Sequence, residues 1–142
     1  PAPLGYGDPM STQVSFGPDA AQKNVTTWFR LAFAVGAEQA SSALSLVLSL
    51  RVDDGALVYL DGEEILRVNM PGGDVGPETL ATVAVGGAAE TGYGTYQLLP
   101  GPLTAPGGVL AVEVHQASPS SSDLGFDLGL DVTWLVENLP GR

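Results

Sequence analysis

Residues 124–134 read LGFDLGLDVTW, and this stretch has the clearest alternation of apolar and polar or small residues in the chain. Apolar side chains occupy every second position from Leu124 to Trp134, and Gly, Asp and Thr occupy the positions between them. Successive side chains of a β-strand point to opposite faces, so a strand gathers the apolar set on one face, whereas a helix would scatter it around the axis. The stretch therefore predicts a half-buried strand.

The same alternation recurs in three stretches upstream. It runs over Phe29–Val35, over Leu44–Val52 and over Leu110–Val114. In the second of these, every leucine at an even position, from Leu44 onward, is expected on the inner face. Four long strands with one apolar face each favour two sheets packed on one core.

Short turn signals separate the strands. Asp53-Asp54-Gly55 precedes an apolar run at Ala56–Leu60, and Asp61-Gly62 separates that run from Ile65–Val68. A DG step between apolar alternations predicts a hairpin. The turn signals give about eight strands at the spacing typical of an antiparallel sandwich. Ala37–Ala43 is the one helix candidate, and because it is short and contains serines we expect a loop there.

Composition and charge narrow the class of protein. The chain has 142 residues, of which 44% are hydrophobic and 15% charged, a balance that supports one packed domain over residues 1–142. Sixteen acidic residues against five basic ones give a net charge of −11, which disfavours nucleic acid and anionic membranes as partners. No apolar run approaches the ~20 residues needed to cross a bilayer, so membrane insertion is not expected.

Several motifs occur in a characteristic order. They are LGYGD at 4–8, TWFR at 27–30, VDDGALVYLDG at 52–62, RVNMP at 67–71 and LAVEVHQ at 110–116. In this order they resemble a galactose-binding-like jelly-roll accessory domain of large secreted bacterial proteins, the kind found beside lamin-tail, CotH-like or metallophosphatase domains. The resemblance extends from Leu4 to Val132 and implies an all-β fold, an antiparallel jelly-roll β-sandwich.

The resemblance also implies a function. Such a domain is a non-catalytic binding or adhesion module, extracellular or at the cell surface, with a glycan or the extracellular matrix as its partner. Members usually carry a further segment before the GYGD motif, whereas only residues 1–3 precede it here, so an N-terminal strand is expected to be missing or to come from a neighbouring chain. The alternative is therefore a structural subunit that shares strands with copies of itself in an extracellular filament, coat or particle surface.

Asp53, Asp54 and Asp61 are the candidate metal ligands. Carboxylates at two successive turns would supply oxygen ligands to Ca²⁺, which takes six to eight of them. The alternative is turn chemistry, because an Asp side chain accepts hydrogen bonds from nearby backbone N–H groups and is favoured in turns for that reason. Calcium is the one cofactor that the sequence suggests.

Tyr93, Tyr96 and Trp28 are the candidate ligand-binding residues. Both tyrosines lie in the Gly-rich segment 91–96, and Trp28 is out of phase with the apolar set that begins at Phe29. Exposed aromatic rings of this kind stack on ligands such as sugars. The alternative for the tyrosines is that they cover a hairpin.

Catalysis is not expected. The chain has no cysteine, a single histidine, His115, and no GxSxG nucleophile elbow, so the groups needed for nucleophilic or zinc chemistry are missing. Glu113 and Asp127 are expected to pair with Arg30 or Arg51 on the outer faces of the sheets. The sequence therefore predicts a protein that is not an enzyme.

Overall fold

A computed structural model describes residues 2–98, 103 and 106–135. Over these residues the chain forms nine strands, one short α-helix and one 3-10 helix. The strands are β1 (Leu4–Tyr6), β2 (Thr12–Gln13), β3 (Thr26–Ala34), β4 (Ala43–Asp53), β5 (Gly55–Leu60), β6 (Glu63–Val68), β7 (Gly94–Leu98), β8 (Gly107–His115) and β9 (Leu124–Trp134). The helix α1 is Ala37–Ser42 and the 3-10 helix is Gly87–Thr91. None of the helices in the described ranges has the length and apolarity to span a membrane.

The strands form two sheets that pack together as a β-sandwich. One sheet has the order β2-β1-β9-β4-β7 and the other the order β3-β8-β5-β6. Every pair is antiparallel except β1 with β2. If the two-residue β2 is left out and the other eight strands are counted from 1 to 8 along the chain, one sheet has the order 1-8-3-6 and the other has the order 2-7-4-5. This is the strand order of a jelly roll. The predicted fold is confirmed, with nine strands in place of about eight.

The core lies between the sheets and contains the residues that the alternation predicts. Phe29 of β3 stacks on Phe126 of β9 with ring centroids 4.5 Å apart, which joins the two sheets directly. Fully or almost fully buried residues of four strands surround this pair: Leu46, Leu48, Leu50, Ala56, Val58, Leu60, Leu110, Val112, Val114 and Leu124.

Two predictions for the segment that leads into β4 are wrong. The helix α1 forms where the sequence suggests a loop, because Ala, Glu and Gln are good helix formers that outweigh the two serines. Leu44 is 54% exposed and does not join the inner face. The register between β4 and β9 shifts between Ala43 and Ser45, and the irregularity at this point turns Leu44 out of the core.

The two Asp-containing turns differ from each other. Asp61 and Gly62 both have positive φ angles, 52° and 88°, as a two-residue hairpin between β5 and β6 requires. The predicted hairpin at Asp61-Gly62 is therefore confirmed. Asp54 lies between β4 and β5, which belong to different sheets, so the chain crosses the sandwich here. The predicted hairpin at Asp53-Asp54-Gly55 is wrong.

The long connection from β6 to β7 covers one end of the four-stranded sheet. Met70 and Ala81 of this connection pack over Leu57 on the outer face of β5 and bury it to 1% exposure. The remaining outer face of that sheet stays open to solvent, and it is this open part that carries the candidate site.

The sandwich opens along one side of β9. β1 pairs with Leu124–Phe126 only, so among the described residues the strand from Asp127 to Trp134 has no partner on the β1 side. Leu31 of β3 has the phase of an inner residue and is nevertheless 59% exposed. An apolar groove between β3 and β9 results, and its lining includes Leu31, Phe33, Leu128, Leu130 and Val132.

Candidate functional site

The open part of the four-stranded sheet carries a cluster that we call the aromatic platform: Trp28, Arg30, Tyr59 and Glu113. Trp28 lies opposite Glu113 in the pairing of β3 with β8. Arg30 lies opposite Ala111, which also pairs with Tyr59 of β5. Because side chains on one face of neighbouring strands stand side by side, strand pairing brings these four residues together on the outer surface.

Small residues shape the platform into a shallow depression. Ala111 and Gly62 leave space between the larger side chains, and the depression has a volume of about 270 Å³. Trp28 stands at its wall and is 58% exposed. An exposed indole beside charged and hydroxyl groups provides an apolar stacking surface and hydrogen-bonding groups in one place.

Glu113 is held at the platform by the buried His115. The Nε2 atom of His115 lies 3.2 Å from Oε2 of Glu113, and its Nδ1 atom lies 2.7 Å from the carbonyl oxygen of Thr79. Since a carbonyl can only accept, Nδ1 donates this second bond and the ring orientation is fixed. The histidine is completely buried and therefore serves as a rigid support for the carboxylate.

The contact between Glu113 and His115 shows that the predicted pairing of Glu113 with an arginine is wrong. The Glu113 carboxylate contacts His115 and pairs with neither Arg30 nor Arg51. The second acid, Asp127, lies opposite Arg51 in the sheet, but the Nε atom of Arg51 donates to the carbonyl oxygen of Glu90 at 2.8 Å. Both arginines are thus left without a carboxylate partner among the residues that the structure describes.

The platform holds Tyr59 as a neutral hydroxyl. Burial, and next to it the negative charge of Glu113, raise the pKa of the Tyr59 phenol above its ordinary value. A neutral phenol both donates and accepts hydrogen bonds, so Tyr59 can serve either a hydroxyl or a carbonyl group of a ligand.

Of the three predicted ligand-binding aromatics, Trp28 alone belongs to the platform. Tyr93 belongs to the other sheet's side of the molecule: its hydroxyl donates to Oδ2 of Asp127 on β9 at 2.6 Å, and this hydrogen bond raises the Tyr93 pKa. Tyr96 lies opposite Leu48 and packs against the core. The structure therefore does not bring the two tyrosines together with Trp28.

The predicted calcium set of Asp53, Asp54 and Asp61 is also separated. Asp61 lies beyond the opposite end of β5 from Asp54, and at ~3.3 Å per residue the strand between them is roughly 17 Å long. Oδ1 of Asp61 accepts a hydrogen bond from the backbone N–H of Val109 at 2.8 Å. A shared site for all three carboxylates is therefore wrong, and the Asp61 side chain instead binds the backbone of β8.

Asp54 connects neighbouring loops through hydrogen bonds to their residues. Its Oδ1 atom accepts from the N–H of Val85 at 2.6 Å, and its Oδ2 atom accepts from the N–H of Ala117 at 2.7 Å. The Asp54 carbonyl oxygen accepts from Nδ2 of Asn69 at 3.1 Å. Two connections, β6 to β7 and β8 to β9, are thus bound to a residue that is only 3% exposed.

Asp53 faces a second group of carboxylates, which we call the acidic cluster: Asp8, Glu90 and Asp123. One ligand atom from each of these three residues lies within 4.8 Å of the others. Burial, followed by the carboxylates of Asp54, Asp123 and Glu90, raises the pKa of Asp53 to about 8. The three residues come from three different connections, and for that reason the local sequence patterns do not reveal the cluster.

Comparison with known proteins adds a distant likeness of fold. No protein-family model and no curated protein sequence matches the chain. A solved structure of a β-D-mannosidase from Dictyoglomus thermophilum is similar at 15% identity and a TM-score of 0.42. The match covers 68% of this chain and 9% of the mannosidase chain, so this chain corresponds to a small part of that enzyme. A likeness this weak does not bear on function.

Proposed function

We propose that the chain is a non-catalytic extracellular module that binds carbohydrate through the aromatic platform. The observation that supports this proposal most directly is the exposure of Trp28, at 58%, beside Arg30, Tyr59 and Glu113. A sugar ring has an apolar C–H face that stacks on an indole, and it has hydroxyl groups that hydrogen-bond to charged and phenolic side chains. The platform offers both kinds of contact on one rigid sheet.

The shape of the platform favours a short segment of glycan. Its volume of about 270 Å³ lies near the lower end of small-molecule sites, which measure ~300–1,000 Å³. The depression is open, so a chain of sugars can extend beyond it at both ends. The net charge of −11 favours a neutral or basic glycan over a strongly anionic one.

Replacing Trp28 by alanine is expected to weaken glycan binding roughly 10- to 100-fold, because a central aromatic anchor contributes about 1.4–2.8 kcal/mol to binding. A glycan array with the unmodified chain identifies the sugar, and titration calorimetry with that sugar measures the loss.

Tyr93→Ala is the matched control, since Tyr93 is an exposed aromatic residue at 44% and contacts the opposite sheet. This variant is expected to retain binding. A blank array, or loss of binding in Tyr93→Ala with retention in Trp28→Ala, contradicts the platform assignment.

The open edge of β9 favours a second candidate function, self-assembly by strand sharing. We propose that a strand of a second copy pairs with β9 between Asp127 and Trp134 and covers the apolar groove beside Leu31. Among the described residues, the backbone of β9 from Asp127 onward is unpaired on the β1 side and lies beside exposed apolar side chains, and these are the features that strand addition uses. The resulting assembly is the filament, coat or particle surface of the alternative interpretation.

Leu31→Lys is expected to convert such assemblies to monomers, because a second copy that covers the groove would have to bury the charged lysine side chain. Light scattering at high concentration and negative-stain micrographs measure the effect. Val83→Lys is the control, since Val83 is 63% exposed in the connection between β6 and β7. A monomer at every concentration with the unmodified chain excludes strand sharing.

A further inference from the structure

We propose that a proton on the Nε2 atom of His115 controls glycan binding at the aromatic platform, with His115 acting as the positioning residue for Glu113. The platform binds its glycan while this proton is present, and it binds more weakly after the proton is lost. This inference rests on the proposed function, since it concerns the regulation of the same site.

The protein atoms around the His115 ring are hydrogen-bond acceptors. Nδ1 lies 2.7 Å from the carbonyl oxygen of Thr79 and 3.0 Å from Oγ1 of Thr26. The Thr26 hydroxyl has one proton, which it donates to the carbonyl oxygen of Pro77 at 2.6 Å. This hydroxyl therefore cannot donate to the ring, and Nδ1 carries a hydrogen. On the other side of the ring, Nε2 faces Oε2 of Glu113 at 3.2 Å.

A neutral ring does not satisfy these contacts. Neutral imidazole has one N–H group and one lone pair. With the hydrogen on Nδ1, the lone pair of Nε2 would point at the Glu113 carboxylate, and two acceptors would face each other. Because His115 is completely buried, bulk solvent does not weaken their repulsion. A second proton, on Nε2, turns the contact into a charge-assisted hydrogen bond, so the contact depends on that proton.

Glu113 is the acid that acts on the ring directly. Among the described residues, it is the only acid within 4.0 Å of a His115 ring nitrogen. Two other acids belong to adjoining segments: Asp54 precedes Gly55, which lies opposite His115 in β5, and Glu78 lies between β6 and β7. Backbone N–H groups bind the Asp54 carboxylate, and Glu78 is exposed to solvent. Neither acid takes the place of Glu113 at the ring.

Glu113 is also the member of the pair that can move. The His115 side chain is fully buried, whereas the Glu113 side chain is 24% exposed at the platform. Arg30 and Tyr59 are the other charged and titratable side chains of the platform. Arginine stays a cation, and burial together with the Glu113 charge raises the pKa of the Tyr59 phenol, so neither group titrates with the pair near neutral pH.

Loss of the proton removes a preformed contact for the glycan. While Oε2 of Glu113 is bound to the ring, its Oε1 atom is held in place to accept a hydrogen bond from a sugar hydroxyl. Once Nε2 is deprotonated, the carboxylate turns towards solvent, and the glycan has to order it again at a cost in affinity. Since a hydrogen bond to a charged group is lost or weakened, we expect a decrease in affinity of about tenfold.

The first test is NMR spectroscopy of the full chain alone, without any glycan. The chain has one histidine and two tryptophans, so the required signals are few. We expect both ring nitrogens of His115 to be protonated at about pH 5.5 and Nδ1 alone at about pH 8.5, a range that spans the usual change of charge of histidine. The indole signal of Trp28, opposite Glu113, shifts with this transition, whereas that of Trp134, on the other sheet, does not.

Glu113→Gln is expected to keep the ring neutral over the same range. The carboxamide donates an N–H to the lone pair of Nε2, and burial without a carboxylate partner disfavours the charged ring. Glu38→Gln makes the same change at an exposed position of α1 and is expected to keep the transition. The proposal is overturned by an unmodified chain whose ring keeps one protonation state throughout, or by an unaltered transition in Glu113→Gln.

A glycan array probed with the unmodified chain at both pH values separates this proposal from the proposed function. We expect signals from neutral glycans to be about tenfold weaker at the higher pH, and Glu113→Gln to lose this dependence. A blank array at both pH values overturns carbohydrate binding by the platform. Equal binding of neutral glycans at both pH values overturns only the control by His115.

Discussion

Replacement of Asp54 by alanine is expected to lower the free energy of unfolding by about 3–5 kcal/mol. Both carboxylate oxygens accept backbone N–H groups, from Val85 at 2.6 Å and from Ala117 at 2.7 Å, and a hydrogen bond to a charged group contributes ~1.5–3 kcal/mol. Solvent does not compensate for the loss, because Asp54 is only 3% exposed. Alanine leaves two N–H donors without a partner and releases two loops from the junction of β4 with β5.

Urea denaturation measures this effect, with thermal melting as the second probe. Asp54→Asn is expected to be intermediate, because its carboxamide retains one acceptor oxygen for one of the two donors. Asp74→Ala, at an exposed loop position, is the control and is expected to stay within about 0.5 kcal/mol of the unmodified chain. If Asp54→Ala were as stable as this control, Asp54 would not be the residue that holds the loops.

The alternation of side chains predicts the sandwich because it reports directly on burial. Leu50 and Val112, for example, have polar or small neighbours on both sides in the sequence, and both are buried between the sheets. Leu44 continues the same pattern and is nevertheless exposed, since the irregularity between Ala43 and Ser45 depends on how β4 pairs with β9. Pairing of this kind joins residues about ninety positions apart, and a single strand's sequence does not encode it.

The platform was accessible to sequence analysis only in part. The phase of Trp28 relative to Phe29 places the indole on the outer face, as the structure has it. Tyr59 and Glu113 reach the indole because β8 lies between β3 and β5. That strand order follows from the jelly-roll topology and not from any local motif, so the spacing of aromatic residues along the chain does not reveal it.

The acidic residues that are conspicuous in the sequence are not the ones that form the acidic cluster in the structure. Asp53-Asp54 and Asp61 stand out in the sequence because they flank glycines, yet Asp54 and Asp61 serve as acceptors for backbone N–H groups. Asp8, Glu90 and Asp123 have no such signature. They meet because three loops close the same end of the sandwich.

Replacement of Gly7 by alanine tests this closure and is expected to lower the free energy of unfolding by roughly 3 kcal/mol or more. Gly7 has a φ of +89°, which costs an L-residue ~1–2 kcal/mol. A Cβ at this position would lie 2.5 Å from Cβ and 2.7 Å from Cα of Asp123, and the resulting overpacking adds ~1–3 kcal/mol. The clash is with backbone, so a side-chain rotation cannot relieve it.

Gly62→Ala is the matched control for this experiment, because Gly62 has a φ of +88° and no atom within 4 Å of its added Cβ. It therefore carries the conformational cost without the clash, and we expect a loss of about 1–2 kcal/mol. The difference between the two variants, measured by urea denaturation, isolates the contact between the end of β1 and the loop before β9. Since Asp8 and Asp123 belong to these two segments, a large difference also means that the fold itself holds these two residues of the acidic cluster together. Equal losses in the two variants would mean that this end of the sandwich can open, and Asp8 and Asp123 would then not be held close together by the fold.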